Sequence, residues 1–273
     1  MQSPPGWQSY QQAQPPAYEA PPPREGGART DLSAIEALKF PFQGDSWMSN
    51  LFIAFVFQMI PILGQIALLG WHAEIMHRLH RGDPQPVPKL DFSDMMHYFS
   101  KGVPAFLGGL VIGLPFGMLI GMVMGVGGVV VGAVAASMRV RGPEVIFAVY
   151  GLAGLVMLVM SPIMAIAGNA VTTRAEYTED GGKALEFGKL WDYAGKTWML
   201  SIVGWLGTSF FGSFVIFAGM LVCFIGIYPA VVAVTLARVH MRWQIYEVYL
   251  SRGGEPIPMK ANRDLPPSEA RRA

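Results

Sequence analysis

Residue types that bind metal ions gather at the end of the first apolar stretch of this 273-residue chain. They are His72, Glu74, His77 and His80. Residues three apart share one face of a helix, and imidazole and carboxylate groups are common zinc ligands. The histidine pair of zinc hydrolases and paired histidine or cysteine motifs do not accompany them. The pattern therefore favours boundary histidines in a basic loop, and a metal site is the alternative.

Three uncharged polar residues, Gln58, Gln65 and Asn169, lie inside otherwise apolar stretches. The two glutamines are seven residues apart, on one face of a helix, and they flank Pro61. Proline leaves a helix carbonyl without its donor, and an amide side chain can bond such a carbonyl within a membrane. We favour this structural role. The alternative is a polar route, because transporters place broken helices at their substrate sites.

Enzymatic chemistry is not indicated. The apolar stretches contain no acidic or basic residue, and the chain has neither a nucleophile-elbow motif nor a glycine-rich phosphate loop. A net charge of +1 excludes a strongly basic nucleic-acid-binding protein, and the single cysteine, Cys223, excludes an internal disulfide. The sequence predicts a non-enzymatic protein with no catalytic residues, no cofactor and no nucleic-acid partner.

Apolar helices must position these residues. The mean hydropathy is +0.37, and four stretches contain no charged residue, namely 46–73, 102–138, 145–173 and 197–237. Each exceeds the roughly 20 apolar residues that span a bilayer as a helix. We predict an all-α polytopic membrane protein with five membrane-embedded segments, at about residues 48–71, 102–125, 145–171, 197–215 and 219–237.

Two boundaries in this prediction depend on glycines. The segment 102–125 ends in a glycine-rich sequence, and residues 129–138 are too short to cross again, so we expect them to form an extracytoplasmic or partly inserted segment. The alternative makes residues 129–138 a second crossing. The 41-residue stretch 197–237 divides into two antiparallel helices that turn near Gly212 and Gly219.

A weak internal repeat is found at an offset of 95 residues. It aligns Leu90-Asp91-Phe92 with Leu185-Glu186-Phe187, Tyr98 with Tyr193 and Lys101 with Lys196. Apolar residues recur every three or four positions in both copies, which predicts amphipathic helices at residues 91–101 and 186–196. We expect both to lie in the membrane interface and to bend at their lysines. The alternative is that they cap a cytoplasmic domain.

Glycine recurs at every fourth position of the second apolar stretch, and the aligned copy retains two glycines in register. The glycine ladder comprises Gly109, Gly113, Gly117, Gly121 and Gly125, with Gly204 and Gly212 in the second copy. Such spacing lets two helix backbones approach closely. We expect the two helices to pack on each other, within one chain or between copies. The alternative is the general tolerance of glycine in membrane helices.

Polar residues dominate both ends of the chain. We expect disorder at residues 1–37, which are rich in proline and glutamine, and at residues 251–273. The proline-rich tail offers a ligand to a proline-binding partner, and the alternative is a solvating tether. Fifteen of the 20 lysines and arginines lie in two loops and the C-terminal region, which the positive-inside rule places in the cytoplasm.

The first apolar segment, at residues 48–71, either crosses the membrane or re-enters it. Its length suffices for a crossing, but Pro61 and Gly64 interrupt the helix pattern. A crossing would place the N-terminal tail outside, although the first 47 residues lack the pattern of a secretion signal. We therefore favour a re-entrant hairpin broken at Pro61.

Several short motifs resemble a known family. They are Phe40-Pro41-Phe42 before Trp47, Ile60-Pro61-Ile62-Leu63-Gly64, Gly70-Trp71, Arg78, Gly82, Pro88-Lys89-Leu90-Asp91-Phe92-Ser93-Asp94 and Gly226-Ile227-Tyr228-Pro229. Over about residues 38–250 the chain resembles the bacterial and archaeal membrane family called domain of unknown function 4013. The resemblance implies a multi-pass protein of the prokaryotic cytoplasmic membrane, and it supplies neither an activity nor site residues.

Two functions follow as hypotheses. The first is a non-enzymatic scaffold or assembly factor that contacts lipid together with other membrane proteins or a second copy of itself. The second is a small transporter or channel with a polar route near Pro61. A transporter places ionisable residues or paired broken helices at mid-membrane, whereas a scaffold requires only packing faces.

Overall fold

The computed structural model of the chain describes residues 18–19, 29–138, 143–221, 226–260 and 266–270. These residues are almost entirely helical, and two short strands, β1 (Tyr18–Glu19) and β2 (Met259–Lys260), pair antiparallel. The helices are α1 (Ala34–Lys39), α2 (Trp47–Met59), α3 (Leu63–Arg81), α4 (Met95–Ser137), α5 (Pro143–Thr178), α6 (Gly181–Ala184), α7 (Phe187–Leu221), α8 (Ile227–Ser251) and α9 (Pro267–Ala270). The predicted all-α class is confirmed.

Three helices, α4, α5 and α7, are long and apolar enough to cross a membrane. α4 has 43 residues and is therefore about 65 Å long, roughly twice the thickness of the hydrocarbon core of a bilayer. Within the described residues, α2 is a shorter apolar helix of 13 residues. The count of five membrane-embedded segments therefore stays a prediction.

α4 continues through both positions at which an interruption was expected. α4 is one uninterrupted helix through Lys101, and α7 is one uninterrupted helix through Lys196. The predicted separate helices at 91–101 and 186–196 are therefore not formed. Lys101 does not have to reach water because its ammonium group pairs with a buried carboxylate of α3. α4 also extends past the glycines that follow Gly125 to Ser137, which corrects the predicted boundary there. Glycine is tolerated in membrane helices.

The glycines expected to form the turn between α7 and α8 lie inside the contact between these helices. A Cβ added at Gly212 would lie 2.9 Å from Val234, and one at Gly219 would lie 2.5 Å from the carbonyl oxygen of Gly226. α7 continues to Leu221, so the turn comes later than predicted. These glycines allow close antiparallel packing.

The break at Pro61 is present. α2 ends at Met59, α3 begins at Leu63, and Ile62 between them has a φ of 63°. Positive φ is unusual for a β-branched residue, so this turn is strained. A Cβ added at Gly64 would lie 1.8 Å from the carbonyl oxygen of Phe57, which shows how tightly α3 folds back on α2.

Both ends of the broken segment pack on the C-terminal half of α8. Before the segment, the ring of Phe40 stacks on that of His240 with centroids 4.6 Å apart. After it, Nδ1 of His80 lies 3.3 Å from the carboxylate of Glu247. The broken segment therefore begins and ends beside the same half of α8, which is the geometry of a hairpin.

Burial divides the long helices into two regions. One region, which we call the base, comprises residues 29–108, 169–205 and 230–260 and contains the large buried side chains Trp71, Tyr98, Tyr177 and Tyr246. The other, which we call the outer hairpin, comprises residues 109–138 of α4 and 144–168 of α5, and none of its residues is buried. Its apolar side chains require lipid or another protein as their environment.

The N-terminal residues next to α1 belong to the base. The backbone N–H of Ser33 donates to the Gln244 side chain at 2.7 Å, and the Gln244 amide donates to the Ser33 carbonyl at 3.1 Å. Ala37 is fully buried. The predicted disorder of residues 1–37 is thus wrong for 29–37, and its remainder lies outside the described residues apart from β1.

The C-terminal residues also return to the base. Ile257 and Met259 are buried, and the backbone N–H of Ser268 donates to the Asp94 carboxylate at 2.8 Å. The predicted disorder of residues 251–273 is therefore wrong where the structure describes them. Apolar burial and a charge-assisted hydrogen bond order a segment that its composition alone did not mark as folded.

Candidate functional site

Glu74 of α3 lies at the centre of a buried ion-pair group in the base. Its side chain is 3% exposed and accepts from Nζ of Lys101 at 2.8 Å and from Nε of Arg78 at 3.0 Å. Arg78 also pairs with Glu269 near the C-terminus at 2.6 Å. Burial raises the pKa of Glu74, but the two bases outweigh it and lower this pKa to about 2. Glu74 is therefore ionised at neutral pH and joins α3, α4 and α9.

The candidate metal ligands face different partners. Nε2 of His77 donates to the carbonyl oxygen of Glu176 at 2.9 Å, and burial lowers the pKa of His77. Burial likewise lowers the pKa of His72 to about 3, whereas His80 faces Glu247. Within the described residues, no three His, Cys, Asp or Glu side chains are close enough to hold a metal ion. The four side chains are neighbours in sequence but do not converge, because α4, α5 and α8 each bond a different one of them.

A second buried ion pair joins α5 to α8. Glu176 is fully buried, and both of its carboxylate oxygens accept from the guanidinium of Arg242. Sequence reasoning missed this pair, although the two residues lie three and five positions beyond charge-free stretches. A charged side chain that is buried where two helices meet requires a partner of opposite charge. The position of both residues close to apolar stretches was therefore the signal from which this pair could have been predicted.

The glutamine pair meets across the break at Pro61. Nε2 of Gln65 donates to the backbone carbonyl of Gln58 at 3.4 Å. The carbonyl that Pro61 cannot bond, that of Phe57 four residues earlier, accepts instead from the backbone N–H of Ile60 at 3.0 Å, so the predicted role of the glutamines stays a prediction. Four cavities among the described residues lie elsewhere and are not lined by the two glutamines. A polar route at this break stays an untested prediction.

Asn169, the third intramembrane polar candidate, joins two helices. Its Nδ2 atom donates to the Ser201 hydroxyl at 2.9 Å, and its Oδ1 atom accepts from Thr173 at 3.3 Å. Asn169 thus links α5 to α7 at the boundary between the base and the outer hairpin. A buried amide in this position is satisfied by interhelical hydrogen bonds.

The two halves of the glycine pattern have different surroundings. A Cβ added at any of the five ladder glycines, Gly109, Gly113, Gly117, Gly121 and Gly125, would meet no described atom within 4 Å. α4 approaches α5 instead through Gly108, beside Val171, and Gly127, beside Leu152. Gly204 and Gly212 pack on α8. The expected packing of α4 on α7 within one chain is therefore wrong, because α5 and α8 occupy the nearer faces.

The charges of the base restrain helices. Glu74, Glu176 and Asp94 are each buried and each bonded by groups from another element. Breaking such a buried pair is costly, so these contacts hold α3, α4, α5 and α8 in register. Together with the long apolar helices, this arrangement defines a polytopic helical membrane protein.

Comparison with known proteins identifies the family of the chain. Residues 53–234 match the family described as protein of unknown function (DUF4013), and the chain belongs to this family. The resemblance of its motifs is thereby confirmed. No curated protein and no solved structure matches the chain.

Proposed function

We propose that the protein is a non-enzymatic scaffold or assembly factor of the bacterial or archaeal cytoplasmic membrane, and that it holds a second membrane helix against the glycine ladder of α4. The exposure of the ladder supports this proposal, since a Cβ added at any of its five glycines would have no atom of the described residues within 4 Å. Small residues permit close backbone contact between membrane helices. The partner helix belongs to another membrane protein or to a second copy.

The base supplies the rigid part of such a scaffold. Its buried ion pairs fix the beginning of α4 and the end of α5. The outer hairpin extends beyond these ion pairs, and none of its residues is buried. In our proposal the base and the C-terminus are cytoplasmic, because most lysines and arginines lie in the loops and C-terminal region at this end. The proline-rich tail would then be available to a cytoplasmic partner.

Substitution of a ladder glycine tests the proposal. Gly117→Leu adds a side chain where the described part of the chain offers no neighbour, so the melting temperature in detergent should stay unchanged. The same side chain should prevent close contact with a second helix, and native mass spectrometry of the gently solubilised protein should show loss of the bound chain.

Met118→Leu is the matched control, because Met118 is 71% exposed beside the ladder but outside it. It should retain the partner. A wild-type protein that is recovered alone, or a Gly117→Leu protein that keeps its partner, would contradict the proposed scaffold.

A further inference from the structure

A cleft of about 300 Å³ lies between α5, α7 and α8 where the base meets the apolar part of the helices. Asn169 and Ser201 form one side, and Arg238 and Arg242 of α8 form the other. Trp205 contributes an aromatic wall. Nothing in the ion-pair group around Glu74 reaches this cleft, and the scaffold proposal does not use it.

The cleft carries an uncompensated positive charge. Arg242 is neutralised by the buried carboxylate of Glu176. Arg238 has no carboxylate within 4 Å among the described residues, and its contact there is a 3.5 Å approach to the hydroxyl of Ser209. Arg238 is exposed, so its guanidinium N–H groups are available to an anion in the cleft.

A neutral donor, the hydroxyl of Ser201, lines the cleft together with the arginines. The Asn169 amide donates to Ser201 and also contacts the Tyr193 hydroxyl, so it positions Ser201. The hydroxyl of Ser201 accepts that bond and keeps its own hydrogen to donate. Asn169 and Ser201 are buried, at 9% and 2% exposure, so this donor is held in place by the surrounding helices.

The position of the cleft suits the phosphate level of a bilayer. Residues 144–168 of α5 contain no buried residue, and burial begins at Asn169. Along the cleft, apolar residues such as Met164 and Ala165 continue toward the outer hairpin. Tryptophan is enriched at the membrane interface, which agrees with Trp205 in the wall. A ligand with an anionic head and an apolar tail matches this arrangement, in which a polar surface is followed by an apolar one.

We infer that the cleft binds the phosphate of an anionic phospholipid headgroup. Arg238 supplies the unpaired charge, Ser201 supplies a neutral donor, and the acyl chains follow the apolar wall toward the outer hairpin. Basic pockets between membrane helices bind anionic headgroups in this manner, and guanidinium groups match phosphate oxygens in geometry. This inference does not depend on the proposed scaffold function.

Native mass spectrometry of the full chain in detergent tests the site. Phosphatidylglycerol should bind and survive delipidation, whereas phosphatidylcholine, whose headgroup has no net charge, should be lost. Arg238→Gln removes the unpaired charge and should weaken phosphatidylglycerol binding about tenfold, the loss expected for a hydrogen bond to a charged group. Its melting temperature without added lipid should equal that of the wild type because Arg238 is exposed.

Arg252→Gln is the matched control, since Arg252 is an exposed arginine at the far end of α8 and should leave binding within twofold. Equal binding of phosphatidylglycerol by the Arg238→Gln and wild-type proteins would overturn the assignment. Equal retention of both lipids would overturn it too, and competition by millimolar inorganic phosphate would identify free phosphate as the ligand instead.

Discussion

Glu74 combines deep burial with three basic neighbours. Lys101 and Arg78 bond its two oxygens, and Nη2 of Arg81 lies 3.9 Å away. A carboxylate removed from water is unfavourable unless it is paired, so the charges on both sides depend on each other. The base therefore contains a residue whose loss affects several helices together.

Glu74→Gln should lower the stability of the protein by about 3–5 kcal/mol, because Lys101 and Arg78 would lose the buried carboxylate that pairs with both. Thermal melting of the detergent-solubilised protein measures the effect. Glu255→Gln is the control, since its pair with Lys189 is 62% and 44% exposed and should contribute less than about 1 kcal/mol.

The same substitution should change the response to acid. The pKa of Glu74 is lowered to about 2 from its ordinary value of 4.5, so its stabilising contribution is complete above pH 4.5 and is lost as the pH falls toward 2. The wild-type melting temperature should fall across this interval more steeply than that of Glu74→Gln. Parallel pH profiles would show that Glu74 is not the titrating group.

At the scale of elements, α3 and α4 cross with their backbones almost in contact. A Cβ added at Gly102 would lie 1.8 Å from the carbonyl oxygen of Ile66, and one added at Gly70 would lie 1.8 Å from that of Tyr98. Backbone atoms cannot rotate away as a side chain can. The two glycines thus set the distance between α3 and α4.

Gly102→Ala should therefore destabilise the protein by about 3 kcal/mol, since the two helices must separate to admit the methyl group. The free energy is read from the shift in thermal melting. Gly132→Ala, on the same helix but without any described neighbour within 4 Å, should be neutral or stabilising because alanine favours the helix. Equal effects of the two changes would rule out the close crossing.

At the scale of the whole molecule, contacts between distant segments place residues 29–37 and 252–260 beside the C-terminal half of α8. Ser33 binds Gln244, and Ile257 is buried after the helix ends. The broken segment of α2 and α3 lies between two contacts with the same half of α8. Residues 29–37, the loop before α4 and residues 252–260 therefore belong to one end of the described structure.

Cysteine labelling in intact cells tests this arrangement. In a Cys223→Ala background, cysteines at the exposed positions Gln43, Gln85 and Gly182 should all be shielded from an impermeant thiol reagent, whereas one at Met138 should react. Labelling at Gln43 but not at Gln85 would instead establish a full crossing by residues 48–71.

Local properties of the sequence determined the helical class and the Pro61 break. Long runs without charge fold as helices in a membrane because every backbone donor must be satisfied within the segment. Proline removes a donor wherever it occurs, but α4 and α5 continue through Pro104, Pro115 and Pro162. At Pro61 the positive φ of the neighbouring Ile62 completes the break. These features depend on neighbours in the chain, and the printed sequence contains them.

Tertiary contacts decided how glycines and charges are used. Gly212 and Gly219 suit a turn as well as a close contact, and α8 selects the contact. Lys101 suits a membrane boundary as well as a buried pair, and Glu74, 27 residues earlier, selects the pair. The free energy of each choice comes from a partner distant in sequence, so spacing along the chain could not specify it.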